Sequence, residues 1–298
     1  TIAYATLISG AAREDALYDI DSAKVRAEVL DLNHGLRFTP PTRVIGSDDL
    51  QVCRKADVIV VTAGAKQRPG ETRLDLAGRN TEIFRDLIPA VAQLAPDSVL
   101  LVVTNPVDVL TQVALELSGF PTTRVIGSGT VLDTSRLHYL LAKYCDVAVA
   151  NVHATIAGEH GDSEFALWSS ASIGTVPLGR WRKSDGTTLT AAERNEIAET
   201  VKHSAYEIIQ GKGATTYAVG LAVTSILDAI LQDEHRILPI STLQQGEHGI
   251  TDVCLSMPVV VGAGGVVRRM EVPLTGEEQR QLDASAETIR RTVDSVGF

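Results

Sequence analysis

Along the first 127 residues, short uninterrupted apolar runs alternate with longer stretches whose apolar positions recur at helical spacing. Residues 16–20 (Ala-Leu-Tyr-Asp-Ile) read as a buried strand, 21–34 as a helix, 43–45 as a short strand and 57–62 as a longer one. Residues 76–94 carry a helical period after a polar loop. Residues 98–104 form another apolar strand, 106–117 a helix and 124–126 a short strand. Continuous β-branched runs separated by amphipathic helices predict a doubly wound parallel sheet, covered on both faces. Such sheets bind ligands beyond the carboxyl ends of their strands.

Past residue 127 the pattern changes. It predicts a helix over 132–143, a strand over 152–156, and long helices over 193–210 and 218–232. Residues 236–240, 252–261 and 266–272 read as antiparallel strands, and 276–296 as a charged amphipathic terminal helix. This is an α+β pattern, so the expected organisation is a sheet domain over 1–127 and a second domain over 128–298. The chain opens at Thr1 in the apolar spacing of a helix already under way, closed by Gly10, with no initiator Met and no signal-like leader; the expectation is an earlier segment in the whole protein.

The length of 298 residues suits two domains. Twenty-seven Lys and Arg against 37 Asp and Glu give a net charge of −10, which argues against nucleic acid or an anionic membrane as partner. No apolar run approaches the roughly 18 residues of a membrane helix. Three scattered cysteines, Cys53, Cys145 and Cys254, read as reduced thiols of a cytoplasmic protein. No CxxC pair or His/Cys cluster has metal-ligand spacing.

Four predicted strands end in polar residues: Tyr18-Asp19, Thr62-Ala-Gly64, Thr104-Asn105-Pro106 and Gly158-Glu-His160. Each alone is readable as a helix cap; together, in a doubly wound fold, they favour a cofactor cleft. Asp19 suits the ribose hydroxyls of a dinucleotide and repels a 2′-phosphate, or else caps the next helix. The polar segment 65–73 is either a lid or a surface loop. Asp133 and Arg136 share one helix face at i, i+3, as a local ion pair or as part of a site. His160 lies between glycines that can expose its imidazole, although a lone histidine is commonly structural. The run 259–266 (Val-Val-Val-Gly-Ala-Gly-Gly-Val) mimics a dinucleotide fingerprint, but a strand follows it, so it reads as a hairpin turn.

Six segments, in this order and spacing, resemble the L-lactate/malate dehydrogenase family, above all its bacterial lactate branch. They are Asp31-Leu-Asn-His-Gly35, Thr62-Ala-Gly64, Gln67-Arg-Pro-Gly-Glu-Thr-Arg73, Thr104-Asn-Pro-Val-Asp108, Gly127-Ser-Gly-Thr-Val-Leu-Asp-Thr-Ser-Arg136 and Gly158-Glu-His-Gly-Asp-Ser163. The resemblance runs through nearly the whole chain. It implies a Rossmann-type α/β domain binding NAD, a substrate domain, and interconversion of pyruvate and L-lactate. It also implies that a first strand and a glycine-rich phosphate turn, absent from these 298 residues, precede Thr1.

By this resemblance His160 is the acid/base, Asp133 its partner, Arg136 the two-pronged grip on the substrate carboxylate and Arg73 the lid residue polarising the carbonyl. Asn105 and Thr215 join them around the substrate. Asp19, Lys24, Gly64, Ala65, Val103, Thr104, Asn105 and Ser128 are implied around the cofactor. Gln67 stands where malate enzymes carry an arginine, so oxaloacetate would bury an unpaired carboxylate and pyruvate fits better; the alternatives are a malate or broad 2-hydroxy-acid dehydrogenase or, should the expected earlier segment be missing from the whole protein, a non-catalytic subunit derived from the family. The family further implies a homotetramer. It implies a fructose 1,6-bisphosphate effector at positions here held by His138 and His153, whose histidines predict weak or acid-favoured activation.

Overall fold

The computed structural model describes residues 1–65 and 73–298, the side chain of Arg73 excepted. The first half runs α1 (Ile2–Ser9), β1 (Glu14–Tyr18), α2 (Ser22–Gly35), β2 (Arg43–Ser47), β3 (Val58–Val61), α3 (Arg73–Leu94), β4 (Val99–Val102), α4 (Val107–Ser118) and β5 (Val125–Gly127). Strands β3, β4 and β5 are parallel neighbours, and β1 pairs with β2 in a separate parallel sheet. The apolar runs are continuous because both faces of the sheet are covered. Leu100 and Val102 face Phe84, Ile88 and Leu110 of the helices on one side. Val99, Leu101 and Ile126 belong to a second core on the other side.

Next come α5 (Val131–Cys145) and the short strands β6 (Val152–His153), β7 (Ile156–Ala157), β8 (Phe165–Ala166), β9 (Ser172–Ile173) and β10 (Val176–Pro177). They are followed by α6 (Ala191–Lys212), α7 (Tyr217–Leu231), β11 (Arg236–Gln245), β12 (Thr251–Gly262), β13 (Gly265–Arg269) and α8 (Gly276–Ser295). The expected strand over 152–156 is two short strands, β6 pairing with β9 and β7 with β8. The expected strand over 16–20 lies two residues earlier, which leaves Asp19 just past its end.

The larger departure is in the sheet. Strands β11, β12 and β13 do not stand apart: β11 pairs antiparallel with β5, Ser241 opposite Gly127, and one six-stranded sheet runs β13-β12-β11-β5-β4-β3 across residue 127. Helix α7 covers it through Val223, Ile226 and Ile230. The glycine-rich run is the turn between β12 and β13, as its sequence predicts. Among the described residues no helix is long and apolar enough to cross a membrane.

Candidate active site

The site is assembled on α5. Thr130, just before that helix, donates its hydroxyl to the carbonyl of Ile156 (2.6 Å), and the Thr134 hydroxyl accepts from the Ile156 N–H (2.9 Å). Strand β7 is thereby fixed against the first turns of α5. The chain leaves β7 through Gly158, whose φ of 89° is a left-handed conformation. A Cβ there would lie 2.7 Å from the Ser285 hydroxyl, so glycine is required on two counts. Gly158 also exchanges backbone hydrogen bonds with Ser256 of β12 at 2.8 and 2.9 Å. These ties bring His160 to α5, although 27 residues separate it from Asp133.

His160 Nδ1 lies 2.6 Å from Asp133 Oδ2, and Arg136 Nη1 donates to Asp133 Oδ1 at 2.5 Å. The i, i+3 ion pair and the acid/base partnership are therefore one arrangement, each using one carboxylate oxygen. Asp133 is buried, while the His160 side chain is 24% exposed. Burial opposes the imidazolium, but the Asp133 carboxylate outweighs it, with Glu164 and Asp108 adding to the same side, and the His160 pKa is pushed up to about 9. Burial likewise opposes ionisation of Asp133, yet His160 and Arg136 hold it below the usual carboxylate range. With Nδ1–H donated to Asp133, Nε2 is the nitrogen left for proton exchange.

Two groups at this corner escaped sequence reasoning. Asp108, fully buried on α4, accepts the backbone N–H of His160 through Oδ2 at 2.7 Å. Burial raises its pKa to about 6. Its signal was its place in Thr104-Asn-Pro-Val-Asp108, a buried helix position that does not need a carboxylate. Glu164 had no signal at all, since acidic residues are ordinary near a loop. The fold nevertheless brings possible ligand atoms of Asp133, His160 and Glu164 within 4.8 Å of one another.

The cofactor candidates lie along the carboxyl ends of β1, β3 and β4. Asp19 does not cap α2; Asp21 does, accepting from the Ala23 and Lys24 N–H groups. Asp19 instead accepts the Lys24 ammonium at 2.5 Å, which holds its carboxyl below the usual range. Asp19 lies just past the carboxyl end of β1 and Lys24 in the first turn of α2. Thr104 donates to the Ala63 carbonyl at 2.8 Å, tying the ends of β3 and β4 together. They approach so closely there that a Cβ on Gly64 would strike the Thr104 methyl. Asn80 was also missed: its side chain accepts the Ala65 N–H at 2.7 Å and donates to the Asn105 carbonyl at 2.8 Å. Val103 and Ser128 continue this edge, their N–H groups bonding to the carbonyls of Val61 and Val102. A carboxylate past a parallel strand and a glycine where no side chain fits are what a dinucleotide requires. Gln67 lies outside the described residues, as does the side chain of Arg73.

His138, on α5, donates its Nε2–H to the Ala154 carbonyl (2.8 Å). Burial depresses its pKa, and nearby His153 lowers it further. His153 itself is exposed.

Comparison with known proteins gives the same picture. A family model described as the lactate/malate dehydrogenase NAD binding domain matches residues 1–127, and the corresponding alpha/beta C-terminal domain matches 130–297. An L-lactate dehydrogenase of Bifidobacterium animalis subsp. lactis is 49% identical, covering 100% of this chain and 93% of that protein. One from a Synechococcus strain is 50% identical, covering 99% and 94%. The crystal structure of a lactate dehydrogenase from a Medee basin deep-sea metagenome library superposes with a TM-score of 0.95 at 41% identity, covering 100% of this chain and 95% of that one. With its NAD-binding Rossmann-type half, its second α/β half and matches along its whole length, the chain belongs to the lactate/malate dehydrogenase family of oxidoreductases.

Proposed function

We propose that the chain is an NAD-dependent L-lactate dehydrogenase. The observation that carries the reading is the imidazole of His160, held protonated by Asp133 beside the guanidinium of Arg136. That pairing suits a keto acid: the arginine fork grips the carboxylate, and the imidazolium meets the carbonyl oxygen. NAD, held by Asp19, Lys24, Gly64, Ala65, Val103, Thr104, Asn105 and Ser128, supplies hydride exchange when bound. In pyruvate reduction His160 gives its Nε2 proton to the keto oxygen; in lactate oxidation it takes that proton back. Asp133 fixes the tautomer and stabilises the cation in both directions. Arg73 polarises the carbonyl. Asn105 and Thr215 shape the pocket, and neutral Gln67 offers no partner for a second carboxylate. Residues 1–127 serve as the cofactor half and 128–298 as the substrate half.

The similarity to L-lactate dehydrogenases supports pyruvate over oxaloacetate. NADH oxidation with the two substrates side by side tests this. A large preference for pyruvate is expected, and Gln67→Arg should shift it toward oxaloacetate. Equal or reversed preference in the parent protein would move the chain to the malate side of the family.

The proposal extends to a cytoplasmic homotetramer in the lactate-forming step of glycolysis, with fructose 1,6-bisphosphate as effector at His138 and His153. Two histidines hold phosphate only when protonated, and His138 is depressed. Activation should therefore strengthen as pH falls. An unchanged affinity for the bisphosphate across the pH range would remove this part of the reading.

A further inference from the structure

Glu164 is a buried acid to which this chemistry assigns nothing. It follows His160 by four residues, its side chain is shut away from solvent, and Oε1 has no hydrogen-bond partner. A carboxylate oxygen of Glu164 lies within 4.8 Å of both an imidazole nitrogen of His160 and an oxygen of Asp133. The charged groups acting on it are Asp133 and Arg136 on α5, His160 on its own loop and Lys202 on α6. Asp108, on α4, acts on the imidazole from the other side. An unpartnered carboxylate in such a place is costly, so the acid is favoured in its neutral form.

The charge count shows what that form does. With Glu164 neutral, Asp133 and Asp108 set against Arg136, Lys202 and the His160 imidazolium leave one positive charge, which complements one substrate carboxylate. With Glu164 ionised the sum is zero, and an anion loses its attraction. We propose that Glu164 is a positioning residue that acts through His160 and Arg136: as a neutral acid it leaves them to the substrate, and as a carboxylate it draws on both and closes the site to anions.

Burial, and then the charge of Asp133, push Glu164 up to about 8, below the value of about 9 for His160. The two groups lie in contact range and titrate in the same alkaline region, so their titrations are linked. The proposal rests on the pyruvate reading for its kinetic readout alone. The test is the pH profile of kcat/KM for pyruvate between pH 6 and 10 in the parent protein, Glu164→Gln and Glu164→Leu. It is joined to an NMR titration of the His160 ring in the free protein, which needs no substrate. The parent should lose two protons on the alkaline limb, with kcat/KM falling by more than about tenfold per pH unit at its steepest. Both variants should lose one proton and fall by no more than about tenfold per pH unit. The His160 resonance should titrate in two steps in the parent and one in the variants. A single-step ring titration in the parent overturns the proposal, even if neither variant folds, and so do variants that keep the two-proton limb. A two-step ring titration in a protein that does not turn over pyruvate would sustain Glu164 and overturn the substrate reading instead.

Discussion

His160 is held against helix α5 and His138 is carried on it, yet their surroundings drive them apart. His160 meets the Asp133 carboxylate on one face of the helix and is pushed up to about 9. His138 meets a backbone carbonyl and a second histidine, and burial keeps it below its ordinary value. The same ring, similarly enclosed, is thus a cation in one place and a neutral group in the other. Burial disfavours both charges; a full negative partner overcomes it, and a carbonyl dipole does not.

The sharpest way to break this contrast is to remove the charged ring. His160→Ala should lower pyruvate reduction on the order of ten-thousandfold while fluorescence titration shows NADH binding nearly unchanged. Loss of NADH binding would place His160 in the cofactor site instead. Asp133→Asn keeps the shape and removes the partner. It should cost on the order of a hundredfold or more in kcat and bring the alkaline limb to lower pH, because an uncharged amide no longer sustains the imidazolium. An unmoved limb would show that Asp133 does not set the charge of His160. Arg136→Lys should raise KM for pyruvate by tens of fold, since a point ammonium cannot replace the planar fork; an unchanged KM would remove Arg136 from the grip.

The smallest effect is on stability, and its sign differs between the two rings. His160 binds its proton more tightly folded than unfolded. Its contribution is complete below about 6.5 and is lost as pH rises through about 9. His138 binds its proton less tightly folded, so it costs stability as pH falls below about 6.5. Melting curves should show His160→Gln flattening the alkaline loss and His138→Gln the acid loss, by a few degrees each. Parallel behaviour of the two variants would erase the distinction.

Much of this contrast was within reach of the sequence. The alternation of apolar runs and helical spacing places the parallel strands, glycines flag the exposure of His160, and i, i+3 spacing puts Asp133 beside Arg136. The partnership of Asp133 and His160 was legible only through family resemblance, because it depends on Thr130 and Thr134 pinning β7 to α5, a long-range packing that no local spacing encodes. Asp108, Asn80 and Glu164 went unread for a related reason. Asp108 and Asn80 bond to groups on other elements, and Glu164 meets Asp133 only through the fold. The continuity of the sheet past residue 127 was hidden because antiparallel strands look alike whether they pair among themselves or join another sheet.

That seam also bears on how the molecule can be taken apart. Ser241 against Gly127 joins the sheet, and α7, from the second half, covers Val99, Leu101 and Ile126 of the first. His160 has its backbone tied to one half through Asp108 and its ring to the other through Asp133. A cut at residue 127 would strip an apolar face from both pieces, and neither fragment should fold alone. Produced together, they should find each other as strands of one sheet and restore turnover only on reunion. The sequence boundary is therefore a poor place to divide the protein and a good one for building a split reporter.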